Sequence, residues 1–413
     1  WFFDEWIFGA GYPEFEVSFG WEDSSKTATL TVDQKQKLGN GAGLFRMPVV
    51  IRFQGNKKVT DRRVEVDSSN HVFTFFLPEK PVVVRFDPGF HIVKTLEFKK
   101  PLALMRSQLT KDPDWLGRAV AAEALAGNGS VEAVEALGKA LMKEPFWGAA
   151  VEIASALGKN GSLRARDFLI AGLKHKHPKV RRAVAKALGA FRDDEAGSAL
   201  AKAAGTDPSY FVEAEASLAL GKTRAIEAFD VLKQNAAKES HSDVVRAYSL
   251  MGMAGLRDDR AFPILAANAA PGGRPVGRMS AMRALAELSK GRDPQRGEAR
   301  LELEPYLRDE DYFARLGAMS ALETLGEAAA AEAVETVRNR EADSRLVLMS
   351  RRIARSLREG KTPGEELNAL REDLEKIREE NRSLKDRLEK VENRAAGASK
   401  RRSKPLSSRH ERD

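Results

Sequence analysis

Six histidines and no cysteine are all that this chain offers for soft-metal or thiol chemistry: His71, His91, His175, His177, His241 and His410. A helical zinc hydrolase site needs His-Glu-x-x-His, a spacing that puts two imidazoles on one face with the Glu as general base. None of the six begins such a motif. His175 and His177, in LKHKHPKVRR, are two residues apart and would point to different sides of a helix. No carboxylate is placed to complete a shell, so the segment reads as a solvated inter-helix turn. Carboxylates are plentiful, but Glu372, Asp373, Glu375, Glu379 and Glu380 alternate with Lys and Arg as on a solvated helix, not as a catalytic pair. Neither a Gly-x-Ser-x-Gly elbow nor a phosphate loop occurs. The residues therefore nominate no catalytic, cofactor-binding or metal-ligating position.

Charge chemistry is the next candidate. Lys174, Lys176, Lys179, Arg181, Arg182 and Lys186 crowd one segment and would suit an acidic peptide or nucleic acid. The formal charge of +8 is unevenly placed. Residues 394–413 hold seven Lys/Arg and two Asp/Glu, or +5, which leaves +3 for the rest. A nearly balanced body argues against phosphate tracking. The KRRSK tail (400–404) could meet nucleic acid or an anionic surface, but plain solubility is the favoured reading, and the few aromatics near it argue against base stacking. No apolar run reaches the eighteen or so residues of a membrane span. The absence of cysteine excludes disulfides and is compatible with a cytoplasmic location.

The elements that would carry these residues change along the chain. Phe15, Val17, Phe19 and Trp21 alternate with polar or small residues, the period-two pattern of a half-buried strand. Similar runs recur at 27–33, 47–53, 58–66, 71–77, 82–86 and 92–98, several of them divided by Gly/Asn/Asp/Pro clusters. Residues 14–100 thus predict a small antiparallel β-sandwich, a module suited to spacing or docking.

From residue 101 alanine and leucine take over at helical spacing, and the pattern repeats. The intervals from Leu125 to Leu157, Leu188 and Leu220 are 32, 31 and 32 residues. Each unit carries small residues near a helix end, a Gly expected to turn the chain, and a break such as Asp112-Pro113, His177-Pro178 or Asp207-Pro208. DPDWLGRAVAAEAL, HPKVRRAVAKALG and DPSYFVEAEASLALG are variants of one motif, which resembles HEAT repeats, the helix-pair solenoids. One such pair has too small a core to stand alone and must stack on its neighbours. The expected fold class is therefore multidomain α+β: a sandwich, an all-α HEAT-like solenoid over 101–360, and a C-terminal coil.

The coil is read at 361–396. Leu367, Leu370, Leu374, Ile377, Asn381, Leu384, Leu388 and Val391 are spaced 3-4-3-4-3-4-3, with Glu, Lys and Arg between them. Asn381 is the lone polar residue at a core a position, the device that sets register in parallel two-stranded coils. A homodimer or a partner helix is the expected consequence, in preference to a solitary amphipathic helix folded back on the body. The last residues, 397–413, have the composition of a disordered basic tail.

At the leading end, Trp1, Phe2, Phe3, Trp6, Ile7 and Phe8 would cover every face of a two-turn helix, with Gly9, Gly11 and Pro13 ending it. Residues 1–13 are expected to be the terminal helix of a missing catalytic domain that buried these rings. Phe3, Asp4, Trp6, Gly9, Gly11, Pro13 and Phe15-Glu16-Val17, followed by TATLTVDQKQ (27–36) and VVVRFDPGFHIVKTLEF (82–98), resemble the catalytic-domain exit and sandwich of the aminopeptidase N family of zinc metallopeptidases. The resemblance implies a parent that hydrolyses N-terminal residues from peptides, with zinc in the upstream catalytic domain, peptide substrates, and the solenoid shaping their access. All catalytic positions would precede Trp1, so this chain should be inactive alone. The alternative is a non-enzymatic HEAT-repeat scaffold or adaptor for protein–protein interaction, a reading that the added zipper and tail favour.

Overall fold

A computed structural model describes residues 1–39, 42–56 and 58–360; the heptad from Leu367 to Val391 and the basic tail lie outside the described residues. The chain is a small β-sandwich followed by helical repeats, mixed α+β as expected. It separates into two compact units, Trp1–Ala284 and Leu285–Asp413.

In the first unit, helix α1 (Phe2–Trp6) leads into seven strands: β1 (Glu14–Glu22), β2 (Thr27–Gln34), β3 (Met47–Gln54), β4 (Val59–Val66), β5 (Asn70–Phe76), β6 (Val83–Phe86) and β7 (Thr95–Lys99). One sheet runs β5-β2-β1-β7 and the other β4-β3-β6. Alternation decides which side chains meet: Ala28, Leu30 and Val32 of β2 face Val49, Ile51 and Phe53 of β3 in one core. Phe15, Phe45 and Phe86 fill the remaining space between the sheets. The expectation of an antiparallel sandwich needs one correction. β7 pairs parallel to β1, with Phe15 opposite Leu96 and Val17 opposite Phe98. The loop between Phe86 and Thr95 carries β7 across to the far sheet, where a hairpin could not place it.

Ten helices of this unit form five pairs. They are α2 (Leu102–Lys111) with α3 (Trp115–Ala126), α4 (Val131–Lys143) with α5 (Trp147–Asn160), α6 (Leu163–Gly172) with α7 (Pro178–Leu188), α8 (Asp194–Thr206) with α9 (Tyr210–Thr223), and α10 (Ala228–Ala236) with α11 (Val244–Leu256). The second helices stack in order from α3 to α11 and the first helices from α2 to α10, giving two layers. Helix α12 (Ala261–Ala269) follows, and α13 (Pro275–Ser289) contains the boundary of the unit. Polar caps start many of these helices; Ser130 accepts from Ala133 N, Ser162 from Ala165 N and Asp193 from Ala196 N.

Two of the repeated glycines do not turn the chain as expected. Gly158 and Gly221 lie inside α5 and α9, where they let successive second helices touch. A Cβ on Gly158 would sit 2.9 Å from the Ala187 methyl, and one on Gly221 only 2.0 Å from the Gly252 carbonyl oxygen. Gly189 makes a like contact, 3.1 Å from the Ala219 methyl, but stands at the C-cap of α7, where a turn was expected.

The second unit has its own small core. Helices α14 (Gln295–Leu303), α15 (Tyr312–Leu325), α16 (Ala331–Thr336) and α17 (Ser344–Glu359) bury Leu303, Leu322, Leu325, Val334, Ile353 and Leu357. Here Gly326 does end α15, in the left-handed region at φ 68°.

Candidate functional site

In four of the five helix pairs of the first unit the joining turn is built on one recurring side chain. Asp112, Glu144, His175 and Asp207 occupy equivalent places in the first unit. Each accepts from the backbone N–H two residues on, at 2.9 to 3.1 Å. Asp309 and Glu341 repeat the arrangement in the second unit, at 2.9 and 3.0 Å. Six residues after Asp112, His175 and Asp309 stands an arginine that ties two repeats together. Arg118 donates to the Asp112 carbonyl (2.9 Å) and forks onto Glu144 (2.8 and 2.6 Å). Arg181 does the same between the His175 carbonyl (2.9 Å) and Asp207 (2.8 and 2.9 Å). Arg315 links the Asp309 carbonyl (2.9 Å) to Glu341 (2.8 Å). Six residues after Glu144 the chain has Ala150, and the next turn holds His175 in place of a carboxylate. Six after Asp207 it has Glu213, and Lys238 supplies the cation from the other side. The charge-assisted pairs thus alternate with the residue types available to make them.

This places His175 and His177 in the turn that starts α7. His175 is a buried turn acceptor, and burial pushes its pKa below the ordinary imidazole range. His177 caps α7 by accepting from Lys179 N at 3.2 Å. The sequence alignment of His177-Pro178 with Asp112-Pro113 is therefore two residues out of register. Pro178 is the first residue of a helix, whereas Pro113 lies in the turn before one. Among the described residues, no group of three or more His, Asp or Glu side chains is arranged to hold a metal ion, and no helix is long and apolar enough to cross a membrane.

The helix starts carry a ridge of rings. Trp115 lies 5.0 Å from Phe146, which lies 5.5 Å from Trp147, and Trp147 stacks at 5.5 Å and 10° on His177. Lys179 Nζ sits 4.0 Å from the Trp147 ring centroid. Trp115 and Trp147 remain 38% and 37% exposed. Further along, Tyr210 packs on Phe211 at 4.4 Å, with the Arg182 guanidinium 5.5 Å from the Phe211 ring. The basic cluster read from the sequence splits in two. Arg181 and Arg182 are engaged by Asp207 and Glu215, while Lys174, Lys176, Lys179 and Lys186 are exposed with no ion-pair partner among the described residues.

A second feature, invisible to motif reading, lies where the sandwich meets the first helix pair. A cleft of about 640 Å³ is walled by Phe90, Ile92, Leu96, Phe98, Met105 and Val120. Arg85, Lys94 and Lys100 also line it. Arg85 is buried; it donates to Asp114 (2.6 Å) and the Pro88 carbonyl (2.8 Å), with Asp112 at 3.5 Å. Lys94 is paired with the buried Asp87, which also accepts from His91 N and Ile92 N at 3.1 Å. Burial works to raise the Asp87 pKa, but those donors together hold it below the usual carboxylate range. Lys100 differs. It donates to the Val84 carbonyl (3.1 Å) and to Gln108 Oε1 (2.5 Å), both neutral. Burial, helped by the nearby Arg85 charge, pushes its pKa down to about 7.

The rings of α1 divide as well. Trp6 packs on Phe45 at 4.9 Å, and Glu5 accepts from Arg46 N at 2.6 Å. Trp1, Phe2, Phe3, Ile7 and Phe8 are exposed, Phe8 by 78%.

Residues 102–177 and 166–254 match the family described as HEAT repeats. HEAT repeats are thus present over these residues. No curated protein matches the chain. Among solved structures, human deoxyhypusine hydroxylase in complex with glycerol is similar at 19% identity and a TM-score of 0.29, over 63% of this chain and 96% of that one. Legionella pneumophila aminopeptidase A in complex with aspartic acid is similar at 12% identity and 0.45, over 86% of this chain and 48% of that one. The chain therefore spans about half the length of that aminopeptidase. The complex of CpcE and CpcF of phycocyanin lyase from Nostoc is similar at 21% and 0.32, over 63% and 95%.

Proposed function

We propose that this chain acts as a HEAT-repeat scaffold that binds an extended acidic segment of a partner protein. The observation that carries this reading is the continuous ridge Trp115–Phe146–Trp147–His177, which spans three successive repeats and stays half open to solvent. Rings of this kind bury large area with little loss of rotamer freedom, so they serve as interface anchors. Lys174, Lys176 and Lys179 flank them without ion-pair partners among the described residues, so the complementary partner is negative. The latches beneath hold the ridge rigid, which lowers the ordering cost of binding. The test is titration with a synthetic peptide of alternating Glu and Leu, read by tryptophan fluorescence and repeated with a Lys-Leu control. Binding of the acidic peptide should weaken with salt and fall tenfold or more in the Trp147→Ala, Lys179→Ala double variant. Equal affinity for the two peptides would end this proposal.

The exposed rings of α1 favour a second reading: the chain is the non-catalytic part of an aminopeptidase N-like zinc metallopeptidase. Zinc and the water-activating Glu would then sit outside these residues, with the rings against the catalytic domain and the repeats limiting substrate access. Zinc content and hydrolysis of amino-acid anilides by the complete gene product test it. A complete protein without zinc or turnover would exclude it.

A further inference from the structure

We propose that the cleft between β7 and helices α2 and α3 binds a small apolar carboxylate, its charged head on Lys100 and its tail against Phe90, Phe98 and Val120. The cations of the cleft are not equivalent. Arg85 is matched by Asp114 and Lys94 by Asp87, whereas among the described residues no carboxylate lies within ion-pairing distance of Lys100. Its two bonded acceptors are a backbone carbonyl and an amide oxygen. Gln108 is held in that orientation because its Nε2 donates to the Gly117 carbonyl at 2.9 Å. The Phe98 ring centroid lies 4.3 Å from the ammonium nitrogen. A partly buried ammonium whose bonded partners are all neutral gains a charge-assisted partner when a carboxylate displaces one of them.

The walls set the rest of the ligand. Besides the paired Arg85 and Lys94 and the charged residues at the mouth, they are mostly aliphatic and aromatic, which favours a single carboxylate with an unbranched or aryl tail. Phe90 is the residue at the opening. It is 47% exposed, its backbone sits in the left-handed region at φ 52°, and the Arg85 and Lys94 cations lie 5.5 and 5.3 Å from its ring. Asp87, at φ 50°, anchors the same loop through Lys94 and two backbone N–H groups. A strained loop held this firmly fixes a ring beside the cleft rather than leaving it to fold inward. Such a ligand could be a free acid or the C-terminal residue of a peptide, and the two share the same head and tail.

Calorimetry on the full chain separates these cases. The free-acid arm uses 4-phenylbutyrate against 4-phenylbutyramide; the peptide arm uses acetyl-Ala-Phe as acid against its amide. At pH 6 at least one acid should bind ten times more tightly than its amide, and the arm that does so names the source. Lys100→Met should bring acid and amide together, and Val120→Trp, at a site 40% exposed, should abolish binding while leaving the fold intact. At pH 8 binding should take up a proton, seen as a dependence of enthalpy on buffer ionisation. The other charged groups around the amine are Arg85 of β6, Lys94, Asp112 before α3, and Glu97, Lys99 and Glu123 at the mouth. Acids and amides that bind alike, an acid preference that survives Lys100→Met, or binding untouched by Val120→Trp would each overturn the proposal.

Discussion

The sandwich and the repeats of the first unit solve the same burial problem with opposite materials. Between the sheets the core is Phe15, Phe45, Phe53, Phe86, Ile51 and Leu30, because two pleated surfaces about 10 Å apart are bridged only by long side chains from both faces. Between the second helices the contacts are Gly158 on Ala187, Gly189 on Ala219 and Gly221 on Gly252, which bring backbones close and leave no room for bulk. One region is therefore sensitive to losing volume and the other to gaining it.

Phe53→Ala should test the first half of that contrast most severely. Phe53 is buried and packs its ring 5.2 Å from Phe75, so its removal should cost about 3–5 kcal/mol, read by urea unfolding. Leu188→Ala removes a wholly buried leucine of α7 and should cost about 2–5 kcal/mol. A cost for Leu188→Ala near zero would mean that the small-residue layer alone carries the repeat.

Gly221→Ala probes the other half by adding one carbon. Its Cβ would meet backbone, the Gly252 carbonyl oxygen, which moves only if α9 and α11 separate. Overpacking of this kind should cost about 1–3 kcal/mol despite the better helix propensity of alanine. Gly158→Ala meets the Ala187 methyl at 2.9 Å and its Cα at 3.2 Å, a looser contact than 2.0 Å, and should cost less. If both substitutions stabilise the protein, the close-approach account of these glycines fails.

Legibility followed sequence separation. The seven strands were readable because period-two alternation and turn residues are local signals, and the repeats because an interval of 31 to 32 residues recurs. The parallel placement of β7 was not, since nothing within Thr95–Lys99 encodes which strand it joins. His177-Pro178 misled because a proline at a helix start and one in a turn look alike in one dimension. The arginine latches reach 26 residues along the chain, from Arg118 to Glu144 and from Arg181 to Asp207, among many other charges. The cleft needed residues 85–100 and 105–124 to be brought together, and Lys100 in particular carries no local mark of its burial.

Lys100 sits at the seam where the two packing styles meet, and its expected effect is the most gradual. Its pKa in the folded protein is about 7, below the ordinary lysine value of 10.5 that the unfolded chain restores. Below pH 7 the amine is charged in both states, so the penalty of burying an ammonium is fully present. Between pH 7 and 10.5 the unfolded chain binds more protons than the folded one, so this group makes stability rise with pH, by up to about 1.4 kcal/mol per pH unit. Lys100→Met removes that slope while leaving the other titrating groups in place. The wild-type protein should therefore gain on the variant as urea unfolding is repeated at pH 6, 7, 8 and 9. Curves that stay parallel over that range would show that the amine is solvated, and that the apolar seam is wetter than its walls imply.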